Sequence, residues 1–83
     1  MRHKITLPDL GLRHMTISSW LVERGQSVSA GERLVEILCD GVTVDLPAPA
    51  SGTLIKKLVA EDDPVVVGQL LGWIADDAQG DSN

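Results

Sequence analysis

A gapless internal repeat constrains the fold of this chain more than any other feature of its sequence. Trp20–Ile37 aligns with Lys57–Ile74 without an insertion. The identical pairs are Leu21/Leu58, Val22/Val59, Val28/Val65, Gly31/Gly68, Leu34/Leu71 and Ile37/Ile74. They are apolar residues or glycines, the residue types that a shared backbone fixes. The repeat predicts two similar halves related by a pseudo-two-fold axis, and the alternative is a coincidence between two β-rich segments.

The hydrophobic pattern predicts an all-β fold. No stretch of a dozen residues keeps a helical period, and short runs of Val, Ile and Leu are separated by Gly, Pro, Asp and Ser, as in a sandwich or barrel. The expected strands are Lys4–Leu7, Ile17–Glu23, Ser27–Ser29, Arg33–Cys39, Val42–Leu46, Thr53–Val59, Pro64–Val66 and Leu70–Ala75. Because Phe and Tyr are absent, the core must be aliphatic. Gly31 and Gly68 each precede a polar residue and a strand, so we expect both in left-handed turns.

Length, charge and cysteine content limit the possible partners. The 83 residues suffice for one small domain, expected over residues 1–75, and the acidic residues 76–83 are expected to be a disordered tail or linker stub. A net charge of −5 repels phosphate backbones, so we expect no nucleic acid and a basic patch on any protein partner. No apolar run approaches a membrane span and no leader pattern opens the chain, so we expect no membrane association. The single cysteine, Cys39, excludes an internal disulfide and favours the cytoplasm.

The stretch CDGVTVDLPAPASG, from Cys39 to Gly52, is typical of a β-hairpin. Asp40-Gly41 is among the best residue pairs for a type I′ turn, in which both central residues have positive φ. Val42–Leu46 alternates apolar and polar residues, as a half-buried strand does. The sequence therefore predicts a tight two-residue turn between two strands.

Four segments together resemble lipoyl domains, the swinging-arm domains of 2-oxo acid dehydrogenase complexes that are usually part of the dihydrolipoamide acyltransferase. The segments are ITLPDLG, WLVERGQSVSAGERL, CDGVTVDLPAPASG and VVVGQLLGWI, and their order and spacing match from Ile5 to about Ile74. The resemblance implies a flattened β-barrel of two four-stranded sheets, with the hairpin at one end and both termini near the other. Biotin carrier domains share this fold, but they usually flank their lysine with methionines, so the lipoyl branch is nearer.

The resemblance also implies an attachment site that this sequence does not complete. In the family the hairpin tip reads Asp-Lys-Ala and the lysine carries lipoate, whereas the matching residues here are Asp40, Gly41 and Val42. Lipoylation forms an amide with a side-chain amine, and Gly41 has no side chain. Lys4, Lys56 and Lys57 fall in other expected strands and are not expected to replace it. We therefore expect no bound cofactor.

The hairpin tip is also a possible partner-docking surface, formed by Leu38, Cys39, Asp40, Gly41 and Val42. Leu38 should point outward because Ile37 takes an inward repeat position, and Cys39 is expected to add an exposed thiol. The alternative is that Asp40-Gly41 serves turn formation alone. We expect no catalytic residues, because Asp40 would raise the pKa of Cys39 rather than lower it. We also expect no metal site, since His3 and His14 lack a second ligand at metal spacing and should be solvated.

These expectations favour a non-enzymatic, lipoyl-like interaction or scaffold module without an arm. The alternative is a lipoyl carrier domain of a dihydrolipoamide acyltransferase whose lysine is replaced in this chain. An enzyme using Cys39 and a structural adaptor like those of membrane fusion proteins are less favoured. By resemblance, the partners would be a 2-oxo acid dehydrogenase or a lipoate ligase, and we expect a monomer.

Overall fold

A computed structural model describes residues 1–76 and shows eight antiparallel strands within them. The strands are β1 (Arg2–Thr6), β2 (Met15–Trp20), β3 (Ser27–Val28), β4 (Arg33–Cys39), β5 (Val42–Pro47), β6 (Gly52–Lys57), β7 (Pro64–Val65) and β8 (Leu70–Ala75). They form two four-stranded sheets, sheet A in the order β1-β8-β6-β3 and sheet B in the order β5-β4-β2-β7. The predicted all-β architecture of two four-stranded sheets is confirmed. Across residues 1–76, no helix has the length and apolar character needed to cross a membrane.

The core lies between the two sheets and is aliphatic, as the composition requires. Its largest fully buried side chains are Leu7, Ile17, Leu34, Ile37, Leu54, Leu71, Ile74, Val35 and Cys39. Repeat-related residues form the same cross-strand pair in each sheet, Ile17 with Ile37 in sheet B and Leu54 with Ile74 in sheet A. Each fully buried aliphatic side chain contributes about 1.5–3 kcal/mol of transfer free energy. The repeat therefore places equivalent stabilising pairs on both sides of the core.

The pseudo-two-fold relation extends to the hydrogen bonds of the turns. The Ser29 N–H donates to Glu32 Oε1 at 2.9 Å, and the Glu32 N–H donates to the Ser29 carbonyl at 2.9 Å. In the second half, Val66 and Gln69 make the same two bonds, each at 3.0 Å. The turn glycine lies inside each of these pairs of bonds. Its φ is +88° at Gly31 and +83° at Gly68, so the expected left-handed conformation is confirmed.

Three strands begin and end earlier than predicted, and the first is β1, which spans Arg2–Thr6 instead of Lys4–Leu7. β2 spans Met15–Trp20 instead of Ile17–Glu23, and β6 spans Gly52–Lys57 instead of Thr53–Val59. After β2 and after β6 the chain leaves the sheet to reach the short strand that follows, and of its apolar residues there Val22 and Val59 remain in contact with the core. The prediction placed the ends of β2 and β6 too late because apolar residues continue in the sequence after strand pairing has stopped. The error is the same in both halves because the repeat gives both the same pattern.

Candidate functional site at the hairpin end

The β4–β5 hairpin closes with the two-residue turn Asp40-Gly41. Cys39 pairs with Val42 across it. Asp40 has φ +48° and Gly41 has φ +85°, so both residues have the positive φ that a type I′ turn requires, and the predicted turn is confirmed. A Cβ placed on Gly41 would meet no atom within 4 Å. A side chain at this position would project into open space from a strained backbone conformation.

The loop between β1 and β2 is tied to this turn. The Arg13 N–H donates to Asp40 Oδ2 at 3.1 Å. Within the loop, the Gly11 N–H donates to Asp9 Oδ1 at 2.9 Å. Sequence reasoning missed the bond between Arg13 and Asp40, because neither residue belongs to a pattern that points to the other. Asp40 therefore has two local roles, one in the turn and one as the acceptor that positions the neighbouring loop.

Leu38 and Val42 provide the apolar surface of the hairpin. Leu38 is 40% exposed and Val42 is 53% exposed, whereas Ile37 is fully buried. The outward orientation predicted for Leu38 is confirmed. Both side chains lie next to the Asp40-Gly41 turn and are accessible from outside the barrel.

Cys39 does not belong to this exposed surface. Its side chain is 0% exposed, and it pairs with Met15 of β2. The expectation of an exposed thiol is wrong, because alternation along β4 places Cys39 on the same inward face as Ile37. Burial raises the pKa of the Cys39 thiol above its ordinary value, and the negative charge of Asp40 raises it further. The predicted effect of Asp40 is confirmed, and the thiol is protonated and enclosed at neutral pH.

Two further apolar side chains lie at the same end of the barrel. Val66 is 66% exposed and Val67 is 50% exposed. They follow Val65, which pairs with Met15 in the strand next to Cys39. We call this region the hairpin end, comprising the Asp40-Gly41 turn with Leu38 and Val42, the 8–14 loop and the 66–69 turn. The sequence contained a signal for the valines, because the repeat aligns them with Ser29 and Ala30 in the first half.

The three lysines of the sequence all lie in sheet A, whereas the Asp40-Gly41 turn belongs to sheet B. Lys4 is in β1, and Lys56 and Lys57 end β6. The Lys57 Nζ lies 5.3 Å from the ring centroid of Trp20, whose Nε1–H donates to the Val59 carbonyl at 2.9 Å. None of the three is brought to the Asp40-Gly41 turn.

The remaining sequence candidates lie elsewhere in the barrel. His3 is half-buried and its Nε2 lies 2.6 Å from Asp76 Oδ1, so the expectation of a solvated His3 is wrong. The Asp76 N–H also donates to the Met1 carbonyl at 2.9 Å. Asp76 is the first residue of the predicted acidic tail, and the rest of that prediction, 77–83, lies outside the described residues. Within residues 1–76, no three His, Cys, Asp or Glu side chains are grouped to hold a metal ion.

Comparisons with known proteins identify the family. The biotin/lipoyl family model, described as “Biotin-requiring enzyme”, matches residues 3–74. The chain is 37% identical to the dihydrolipoyllysine-residue succinyltransferase component of the 2-oxoglutarate dehydrogenase complex of Rickettsia conorii, over 99% of this chain and 21% of that protein. It is 36% identical to the dihydrolipoyllysine-residue acetyltransferase component of the pyruvate dehydrogenase complex of Corynebacterium glutamicum, over 87% of this chain and 11% of that protein.

The chain belongs to the biotin/lipoyl domain family. Members of this family carry lipoate or biotin on a lysine. This lipoyl-like domain spans 21% or less of the length of the two curated relatives. The match therefore concerns one domain of proteins that are themselves acyltransferase components of dehydrogenase complexes.

Solved structures place the domain in the same fold. The solution structure of the lipoyl domain of the 2-oxoglutarate dehydrogenase complex from Azotobacter vinelandii matches with a TM-score of 0.71 at 28% identity, covering 88% of this chain and 95% of that one. A single-chain, multi-domain long-chain acyl-CoA carboxylase matches with a TM-score of 0.72 at 18% identity, over 100% of this chain and 8% of that one. The second likeness shows the fold alone. The resemblance inferred from the sequence is confirmed for the lipoyl-like domain as a whole.

Proposed function

We propose that this chain is a lipoyl-like domain without a lipoyl arm, acting as a protein-interaction module related to the carriers of 2-oxo acid dehydrogenase complexes. The observation that carries the proposal is Gly41, which occupies the hairpin turn of an otherwise complete lipoyl fold with φ +85°. An amide bond to lipoate needs an amine, and glycine offers none. The hairpin end would then serve as a docking surface rather than an attachment site.

The surroundings of the turn support a binding role for the hairpin end. Leu38 and Val42 are exposed on the hairpin, and Val66 and Val67 are exposed on the neighbouring turn. The bond from the Arg13 N–H to Asp40 holds the adjacent loop against the turn. Apolar side chains on a preorganised surface bind a partner with little loss of conformational freedom. The partner proposed on the basis of the family is a 2-oxo acid dehydrogenase component or a lipoate ligase.

A second function is a carrier domain of a dihydrolipoamide acyltransferase whose lysine is replaced in this chain. Sequence similarity favours it, since the domain is 38% identical to the succinyltransferase component of the 2-oxoglutarate dehydrogenase complex of Bacillus subtilis over 90% of its length. In that case the surface that a lipoate ligase recognises would be retained around Gly41. The two functions therefore differ in whether restoring an amine restores modification.

The test is intact-mass measurement after incubation with a lipoate ligase, lipoate and ATP. The unaltered chain should gain no mass, and a gain of one lipoyl group would contradict the proposal. The variant Gly41→Lys with Val42→Ala restores the family tip. Its modification would favour the replaced-lysine carrier, and a folded but unmodified variant would favour the interaction module.

Gly31→Lys is a matched control for this experiment. Gly31 also has positive φ, +88°, and a Cβ there meets no atom within 4 Å. It lies at the opposite end of β4, beyond Arg33, so a lysine there has similar backbone strain and space but no hairpin end around it. Modification of both lysine variants would indicate a ligase that does not read the hairpin surface.

We further propose that the domain is non-enzymatic, monomeric and cytoplasmic. The enclosed Cys39, with its raised pKa, supports the first point, because a nucleophilic cysteine requires an accessible thiolate. A free thiol in place of a disulfide is consistent with a reducing compartment. Sedimentation velocity at several protein concentrations tests the oligomeric state.

A further inference from the structure

The strands of sheet A carry only positive formal charges, although the chain as a whole has a net charge of −5. They contain no Asp or Glu, and they contain Arg2, Lys4, Lys56 and Lys57. The acidic residues lie in sheet B, in the loops and in the tail. The strands of sheet A therefore present positive charge on a domain that is acidic as a whole.

The strand register builds a row of three side chains across the outer face of sheet A. Lys4 of β1 and Lys56 of β6 both pair with Trp73 of the central strand β8. Directly paired residues point to the same face, and the exposure of both lysines agrees with this, with a bulge in β6 immediately before Lys56. Ile5, next to Lys4, faces the core, so Lys4 and its row face outward. Arg2 lies two residues before Lys4 and extends the same face of β1.

The repeat identifies an equivalent row in sheet B with the opposite charge. Glu36 corresponds to Trp73 and pairs with Asp45 of β5 and Ser19 of β2. These carboxylates have partners within the domain. Asp45 Oδ2 lies 3.2 Å from Arg33 Nη1, and Glu36 Oε1 accepts a bond from Ser18 Oγ at 3.1 Å. Asp45 is therefore paired with a cation of its own sheet, whereas Glu36 has only a neutral hydroxyl donor and keeps its negative charge.

The row of sheet A has no such partners. Among residues 1–76, the ammonium groups of Lys4 and Lys56 form no ion pair or hydrogen bond, and neither does the indole N–H of Trp73. The other tryptophan provides the contrast, since the Trp20 N–H is bonded to the Val59 carbonyl. A half-buried indole between two unpaired cations offers an apolar surface, a hydrogen-bond donor and two positive charges to a ligand.

We propose that this basic face, defined by Arg2, Lys4, Lys56 and Trp73, docks an acidic segment of a partner protein. The segment would have two carboxylates flanking an apolar side chain, so that the carboxylates meet the lysines and the apolar group packs on Trp73. Lys4 and Lys56 are two strand spacings apart, or about 10 Å, and residues four apart in an extended segment are about 13 Å apart. The long lysine side chains cover the difference. This inference is independent of the chemistry at Gly41.

Charge complementarity favours a protein segment over two other occupants. A nucleic acid would meet the acidic remainder of the domain, which opposes binding of a long polyanion. A second copy of this chain would offer the sheet B row, where Arg33 lies beside Asp45 and offsets part of the negative charge. A short acidic segment can match the basic face without reaching the rest of the surface.

The test is titration of the full isotope-labelled chain with the capped peptide Glu-Ser-Leu-Ser-Glu, followed by amide chemical shifts and tryptophan fluorescence. We expect saturable shifts on β1, β8 and β6, and none with Lys-Ser-Leu-Ser-Lys. Absence of saturable binding, or shifts centred on the hairpin end, would overturn the proposal. So would preferential binding of oligothymidylate to this face, or concentration-dependent shifts of both outer faces without peptide, which would indicate a second copy.

Matched variants separate a specific face from general charge. The pair Lys4→Gln with Lys56→Gln should weaken the peptide affinity about tenfold, the effect of losing two exposed ion pairs of about 0.5–1 kcal/mol each. Arg13→Gln with Arg33→Gln makes the same change in net charge at the hairpin end and in sheet B, outside the basic face, and should leave the affinity within about twofold. Equal losses in the two pairs would show that only net charge matters and would contradict the docking site. Trp73→Phe should weaken the peptide affinity, and Trp20→Phe, whose N–H is bonded within the domain, should leave it unchanged. Equal effects of the two variants would contradict a contact between the peptide and Trp73.

Discussion

Gly25 and Asp62 occupy the same turn position in the two halves of the barrel, with φ of +93° and +71°. Their N–H groups make equivalent bonds, to the Leu54 carbonyl at 2.7 Å and to the Ile17 carbonyl at 2.8 Å. One half therefore uses the residue suited to positive φ, and the other holds an aspartate in the same conformation. The fold requires positive φ at this position but does not require a side chain there, so the backbone strain at Asp62 is avoidable.

Asp62→Gly should raise the free energy of unfolding. A non-glycine residue in the left-handed region costs roughly 1–2 kcal/mol, less for Asp, and the greater chain entropy of glycine offsets part of the gain. The expected net stabilisation is up to about 1 kcal/mol, measured by urea unfolding. Gly25→Asp is the reciprocal variant and should lose a similar amount. A less stable Asp62→Gly chain would show that the carboxylate contributes more than its backbone strain costs.

Substitutions at Asp40 should alter hydrogen exchange in the 8–14 loop only when they remove the acceptor for the Arg13 N–H. Asp40→Asn keeps an acceptor for the Arg13 N–H and tolerates positive φ, so hydrogen exchange of the Arg13 amide should stay close to that of the unaltered chain. Asp40→Gly keeps the turn but removes the acceptor, so exchange should accelerate. Equal exchange in both variants would mean that the side-chain bond does not hold the loop.

Two glycines should respond very differently to a methyl group. Gly41→Ala meets open space and bears only the cost of positive φ, about 1 kcal/mol. Gly52→Ala would place its Cβ against the Ala75 carbonyl in the neighbouring strand β8, so the backbone must move. We expect it to cost at least about 3 kcal/mol in urea unfolding, with loss of β6–β8 pairing. Similar costs at the two sites would contradict the close approach of β6 and β8.

The Cys39 thiol should make stability fall at alkaline pH. Its pKa is raised in the folded chain, so above the ordinary value of 9.0 the unfolded chain loses the proton first. The native state then binds more protons than the unfolded state, and its stability decreases as pH rises through the unfolded pKa towards the folded one. Urea unfolding at pH 7 to 10 should show a steeper loss for the unaltered chain than for Cys39→Ala. Parallel curves would indicate that the thiol is not enclosed.

Alkylation kinetics provide an independent measure of the same site. An iodoacetamide reaction with native Cys39 should be slower at neutral pH than with a free model thiol, because the side chain is both buried and protonated. The urea-unfolded chain is the control and should react at the rate of the model thiol. A fast native reaction would reopen the enzyme hypothesis.

The sequence was sufficient for most of the fold because the repeat carries long-range information. Matching Ile37 with Ile74 placed both residues in the core, and Asp40-Gly41 specified its turn type locally. The same alternation that turned Leu38 outward also directs Cys39 inward. Grouping Cys39 with the surface residues relied on its closeness to the tip in sequence and neglected the side-chain period of the strand.

The candidate site was less predictable because its parts come from separate segments. No local pattern relates Arg13 to Asp40, since a backbone N–H carries no residue-specific signal. Val66 and Val67 were different, because the alignment with Ser29 and Ala30 already showed apolar residues where the first half has small or polar ones. The aligned positions at which the two halves have different residues, as well as those at which they are identical, would have indicated the hairpin end.

The opposite charges of the Lys4–Trp73–Lys56 row and the Asp45–Glu36–Ser19 row have a consequence for how the domain moves near other molecules. Sheet strands contribute little net dipole of their own, so any electric moment across the barrel comes from charged side chains, and these two rows contribute to it with opposite signs. That moment would rotate the diffusing domain so that sheet A leads towards an acidic surface and sheet B leads towards a basic one. The effect would fade as salt shortens the Debye length to about 8 Å at physiological ionic strength. The pseudo-two-fold axis thus relates two sheets of the same backbone shape whose outer faces would turn in opposite directions in the same electric field.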